Sequence, residues 1–144
     1  MNQLTQDINK RLKNNTFMHY NHIELESIEL DRAVFKLDIR PESRNNYGMV
    51  HGGAIYTLAD NATGYVAHAD GRYYVTQTSA LHFLRNQSEG TVRAFATVRH
   101  RGKSTCLVAV DILGEGDKLI ATGEFTFFCV DKAVMDEKRP QESK

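Results

Sequence analysis

At 144 residues the chain reads as one domain, long enough to bury a sizeable core. Its composition is that of a globular protein, 41% hydrophobic and 25% charged. Eighteen Lys and Arg balance eighteen Asp and Glu, so bulk charge gives no reason to expect nucleic acid or a membrane surface as partner.

In chain order, Leu4, Ile8 and Leu12 recur every four residues, which predicts a short amphipathic helix over 3–14. Ile23, Leu25, Ile28 and Leu30 predict a strand. Ala33, Phe35, Leu37 and Ile39 predict a second, with Asp31-Arg32 as the connection. Residues 40–51 carry Pro41, Ser43, Asn45, Asn46 and Gly48, which is loop chemistry. A long helix is predicted over 53–69. Its apolar positions cover more than one face, and Lys and Arg are absent between Arg44 and Arg72, so it should be buried over most of its circumference.

After the Ala69-Asp70-Gly71 turn the pattern turns to strands at 73–84, 91–100, 104–113 and 118–130. The expected fold is α+β, an antiparallel sheet wrapped around one long central helix. Residues 1–20 form the lead-in with its helix, 21–130 the domain, and 131–144 a tail with eight charges that is expected to fray.

The chain begins without the basic-then-apolar pattern of a signal peptide, and no apolar run approaches the roughly 20 residues that span a bilayer. Cys106 and Cys129 fall in strand-like stretches without CxxC spacing and read as thiols in a reducing compartment. The expected location is the cytoplasm.

Most chemical information sits in residues 45–60. His51-Gly52-Gly53 ends the polar loop and opens the long helix, where backbone N–H groups lack intrahelical partners and the helix dipole adds positive potential. Asp60 follows His51 by nine residues, deep in the helix, although Asp is a poor mid-helix residue. An acid placed there at a propensity cost, downstream of a ready-made oxyanion site, suggests catalysis. The other histidines show no metal-ligand spacing, and no phosphate loop, GxSxG elbow or dinucleotide fingerprint occurs. No metal and no cofactor are expected.

These residues, with the order of elements, resemble the hotdog-fold acyl-CoA thioesterases of the PaaI-like (phenylacetate-pathway) branch. The shared pattern is Asn45, Gly48, His51-Gly52-Gly53 and Asp60, supported by Phe83-Leu84-Arg85 and by Arg101-Gly102-Lys103-Ser104, over about residues 20–130. The resemblance implies hydrolysis of a small, medium-chain or aromatic acyl-CoA. Asp60 would act as general base or as nucleophile, and the backbone N–H of Gly52 as oxyanion donor. His51 and Asn45 would orient the carbonyl or water, and Thr76, where some relatives carry Ser, would hold that water. Gly53 joins the substrate site, and Arg85, Arg99, Arg101 and Lys103 would grip the CoA phosphates.

The resemblance also implies a site at a dimer interface, in a homodimer at minimum and a dimer of dimers (homotetramer) by inclination. Tyr47, Tyr56, Tyr65 and Phe83 are candidates for an aromatic acyl pocket or for packing. Two other functions fit the same fold: a hydratase or dehydratase pairing His51 with Asp60, and a non-catalytic acyl-CoA-binding protein.

Overall fold

The computed structural model describes residues 2–131, so the tail expected to fray lies, beyond Asp131, outside the described residues. Three α-helices and six strands make up the architecture there: α1 (Gln3–Leu12), α2 (Thr16–Tyr20), β1 (Ile23–Glu29), β2 (Arg32–Asp38), α3 (Gly52–Ala67), β3 (Tyr73–Phe83), β4 (Thr91–Arg101), β5 (Thr105–Leu113) and β6 (Leu119–Val130). The strands form one antiparallel sheet in the order β1-β2-β4-β5-β6-β3. Period-two alternation turns Phe35 and Leu37, Val92 and Ala94, and Val108, Val110 and Ile112 inward, all essentially without solvent exposure. The curved inner face wraps α3, which meets it with Ile55, Leu58, Ala59, Ala62 and Val66. This is the α+β hotdog arrangement.

The N-terminal segment differs from the single helix that periodicity predicts. Helix α1 stops at Leu12, and Asn15 starts a one-turn helix by accepting from the Met18 N–H at 3.1 Å. The β1–β2 turn falls one residue earlier than expected, because Asp31 takes a left-handed φ of 69°. At Gly123, a Cβ would collide with the Ala80 carbonyl, so glycine allows β3 to lie against β6.

The C-terminal end of α3 is closed by Arg101. Simple alternation along β4 would leave Arg101 on the outside. A one-residue bulge between Val98 and His100 turns it inward, where its side chain is only 18% exposed. Its Nη2 donates to the Val66 carbonyl at 3.0 Å and its Nη1 to the Ala67 carbonyl at 2.8 Å. The same guanidinium bonds Asp31 through Nε and Nη2 at 3.0 Å and Asp70 through Nη1 at 2.8 Å. All five of its N–H donors are thereby engaged, leaving none to grip a CoA phosphate. Arg101 is a cationic cap on the central helix.

Candidate active site between the central helix and the edge strand

The loop before α3 is organised by Asn45. Its Oδ1 accepts from the backbone N–H groups of Tyr47 and Met49 at 2.9 and 3.2 Å, and its own N–H donates to the Met49 carbonyl at 2.7 Å. Gly48 completes the tight turn with φ of 77°, a conformation that favours glycine. His51 then enters the helix as its N-cap, its N–H bonded to the Ser43 carbonyl at 2.7 Å.

The first-turn N–H groups of α3 can be accounted for one by one. Gly53 donates to the Nδ1 of His51 at 2.7 Å, and Ala54 and Ile55 both donate to the His51 carbonyl. Gly52 has no protein acceptor among the described residues. The His51 ring therefore consumes the Gly53 donor and leaves the Gly52 N–H as the open one. Because Nδ1 accepts, the neutral ring carries its proton on Nε2. The Phe83 ring packs on Gly52, 3.7 Å from where a Cβ would stand.

Two turns further along, Asp60 points out of α3 towards β3. The Thr76 hydroxyl donates to its Oδ1 at 2.9 Å. Burial raises the carboxyl pKa above its ordinary 3.8, and the Thr76 hydrogen bond opposes that rise only in part. Among the described residues no cation pairs with Asp60. A carboxylate with one hydroxyl donor, a raised pKa and no counter-ion among the described residues is chemically able to accept a proton or attack a carbon.

Asp60 and Thr76 line one end of a cleft of about 740 Å³ whose walls come from α1, α3, β3 and β6. Tyr65 lies within it, whereas Tyr47 is 81% exposed on the loop and Tyr56 meets Ser79 on β3 through its hydroxyl at 2.5 Å. Sequence reasoning passed over Asn15 and Asn61, which line the same cleft: Asn15 Nδ2 donates to Asn61 Oδ1 at 3.0 Å and to the Tyr65 hydroxyl at 2.8 Å. An Asn directly after Asp60, in a helix, was the available signal.

The basic residues do not converge. Arg85 follows the C-terminal end of β3, whereas Lys103 lies by its start, where Arg72 donates to the Lys103 carbonyl. The eleven residues of β3 between them span roughly 35 Å. Arg99 sits in the β4 bulge on the outer sheet face, beside Phe95, Thr97 and Glu124. Among the described residues no cluster of three His, Cys, Asp or Glu could hold a metal, and no helix is long and apolar enough to cross a membrane.

A sheet wrapped on one helix defines the hotdog fold, and the acid in mid-helix with the open N–H at the helix start is its candidate active site. Residues 47–121 match the thioesterase superfamily. The acyl-coenzyme A thioesterase PaaI of Escherichia coli K12 is 31% identical over 100 residues, covering 69% of this chain and 71% of that protein. The 1,4-dihydroxy-2-naphthoyl-CoA hydrolase of Listeria monocytogenes is 31% identical over 108 residues, covering 72% and 87%. The solved structure of the E. coli PaaI protein from the phenylacetic acid degradation operon superposes with a TM-score of 0.85 at 26% identity, over 89% of this chain and 94% of that one. The chain belongs to the thioesterase superfamily, as a PaaI-like hotdog thioesterase.

Proposed function

We propose that this protein hydrolyses acyl-CoA thioesters at a site composed of two copies of the chain. The observation that carries the reading is the placement of Asp60 and Gly52 on one continuous helix. They are eight residues apart, about 12 Å of axis, while one reacting carbonyl needs its oxyanion donor within about 3 Å. A single chain therefore cannot use both groups on one thioester. A second copy, bringing its own helix start against the first copy's Asp60, can.

Strand β3 supports such pairing. It is bonded to β6 on one side only, and residues 76–80 are exposed in the single chain. Val75 is 39% and Phe83 54% exposed, so a long, partly apolar edge stands uncovered. Edge-to-edge pairing of two copies gives a dimer, and a dimer of dimers is the larger assembly we propose.

In the general-base route Asp60 takes a proton from water and the hydroxide attacks the thioester carbon. The carbonyl electrons move onto oxygen, where the Gly52 N–H of the other copy receives them. Such a donor contributes about 3 kcal/mol in the transition state. Collapse expels the CoA thiolate, which takes a proton, and releases the acid. In the nucleophilic route Asp60 attacks the carbon itself and water opens the resulting anhydride. Transfer of label from 18O-water into the Asp60 carboxylate in a single turnover separates the two. Arg85 and Lys103, both exposed, are the proposed phosphate contacts, each drawn from a different copy because β3 holds them roughly 35 Å apart within one. The relatives that act on CoA esters and the free thiols of Cys106 and Cys129 fit a cytoplasmic enzyme.

The test is thiol release from a panel of acyl-CoA esters, wild type beside Asp60→Asn. The expected result is turnover that falls by about a hundredfold or more in the variant. Binding of CoA esters without turnover in the wild type overturns the reading in favour of a non-catalytic binding protein.

A further inference from the structure

The cleft that Asp60 lines is also lined by a cation with no carboxylate partner among the described residues. Arg11, in the last turn of α1, lines its far end together with Tyr65, His68 and Tyr73. The Arg11 Nη1 is buried and has no hydrogen-bond partner, and the guanidinium carbon stands over the Tyr73 ring, 4.6 Å from its centroid. Among the described residues no carboxylate pairs with it. A buried donor left unmet costs free energy, and an aromatic face compensates a guanidinium only in part.

A second donor stands nearby. The Tyr65 hydroxyl accepts from Asn15 Nδ2 at 2.8 Å, which leaves its O–H to donate. Burial raises the Tyr65 pKa, with Asn15 and the charge of Arg11 working against that rise, so the arginine's field reaches this hydroxyl. The channel between the two ends is walled by Tyr73, Val75 and Phe127. From Thr76 to Tyr73 is three strand residues, about 10 Å.

Resting on the thioesterase reading, we infer that this cleft is the acyl channel and that Arg11 and the Tyr65 hydroxyl bind a carboxylate at the far end of the acyl group. The substrate class is then medium-chain ω-carboxyacyl-CoA. The thioester carbon sits at Asp60, an apolar middle lies against Val75 and Phe127, and the terminal carboxylate meets Arg11. The relative from Listeria monocytogenes is named for an aryl acyl group, 1,4-dihydroxy-2-naphthoyl, which carries no terminal carboxylate for such a contact.

Suberyl-CoA and octanoyl-CoA have the same chain length and differ only in the terminal carboxylate, so the ratio of their kcat/KM values reads this contact. We expect the wild type to favour suberyl-CoA by tenfold or more, the ratio to fall at least tenfold in Arg11→Gln, and Arg11→Lys to restore part of it. A wild-type ratio at or below one overturns the inference without recourse to any variant. So does turnover confined to other acyl-CoA esters, which leaves the thioesterase reading standing. Absence of turnover on every CoA ester overturns both.

Discussion

Thr76 donates its hydroxyl to Asp60 across 2.9 Å, joining the edge strand to the central helix at the carboxylate that opens onto the cleft. This hydrogen bond favours the ionised carboxylate, while burial favours the neutral acid and prevails. Turnover that requires the carboxylate therefore rises with pH through a midpoint above the ordinary 3.8. Thr76→Val removes the opposing hydrogen bond and moves the midpoint of kcat/KM higher still, whereas Thr76→Ser leaves it in place. A midpoint unmoved in Thr76→Val would mean that the hydroxyl serves only the fold.

The same shift has a consequence for stability. The folded-state pKa of Asp60 is raised, so the native state holds this proton more tightly than the unfolded chain does. The resulting stabilisation is complete below the unfolded value and is lost as pH rises through the folded one. At neutral pH the ionised group is thus a burden on the fold, as expected where function is bought with stability. Asp60→Asn is expected to raise Tm at pH 7 while abolishing turnover, with the difference in Tm vanishing in acid. Equal Tm values at both pH extremes would refute the linkage.

Gly52 occupies the first position of α3, where proline is well tolerated, and the preceding His51 has the extended φ and ψ of −68° and 136° that precede proline readily. Gly52→Pro therefore deletes the single open N–H with little strain. We expect kcat to fall by about a hundredfold to a thousandfold, with Tm within a few degrees of wild type. Full activity in a folded Gly52→Pro enzyme would remove this N–H from the mechanism.

Much of this was legible in the residues alone. The four C-terminal strands and α3 follow from alternation and from the cation-free stretch, because one buried face imposes its period on the sequence. Helix α2 escaped because it rests on one cap, Asn15, rather than on a repeat. The inward turn of Arg101 was hidden for a different reason. A bulge leaves no mark in the sequence, and inserting one residue in the pairing reverses every side chain beyond it. The Arg11 end of the cleft joins residues about fifty positions apart, a proximity that local pattern does not encode.

Arg101 makes a prediction opposite to that for a phosphate contact. Arg101→Leu strips Asp31 of its cation, Asp70 of one of its two (Arg72 remains) and the α3 carbonyls of their donors, which should cost about 3 kcal/mol of stability and leave KM for CoA esters unchanged. Burial works against ionisation of Asp70, but the Tyr74 hydroxyl, the Arg72 backbone and side chain, and the charge of Arg101 hold its pKa at about 2. This stabilisation is present above the unfolded value and is lost as pH falls through about 2. Urea titrations of wild type and Arg101→Leu across that range, with KM measured at pH 7, decide the matter. A raised KM with unchanged stability would return Arg101 to the substrate site.

The composite site makes a quantitative demand on mixtures. Asp60→Asn copies keep an intact Gly52 donor, and Gly52→Pro copies keep an intact Asp60. Each pure dimer has no complete site. In a mixed dimer, one of the two sites receives Asp60 from one copy and the Gly52 N–H from the other, while the second site lacks both. Random exchange makes half of the dimers mixed, so equal amounts of the two variants should recover about a quarter of wild-type activity, as expected for a two-fold interface. The measurement is thiol release before and after co-refolding, with size-exclusion chromatography confirming the dimer. Exchange without recovered activity would place Asp60 and its oxyanion donor within one chain, which the roughly 12 Å between Asp60 and Gly52 along α3 forbids for this pair. The donor would then have to be a group other than Gly52.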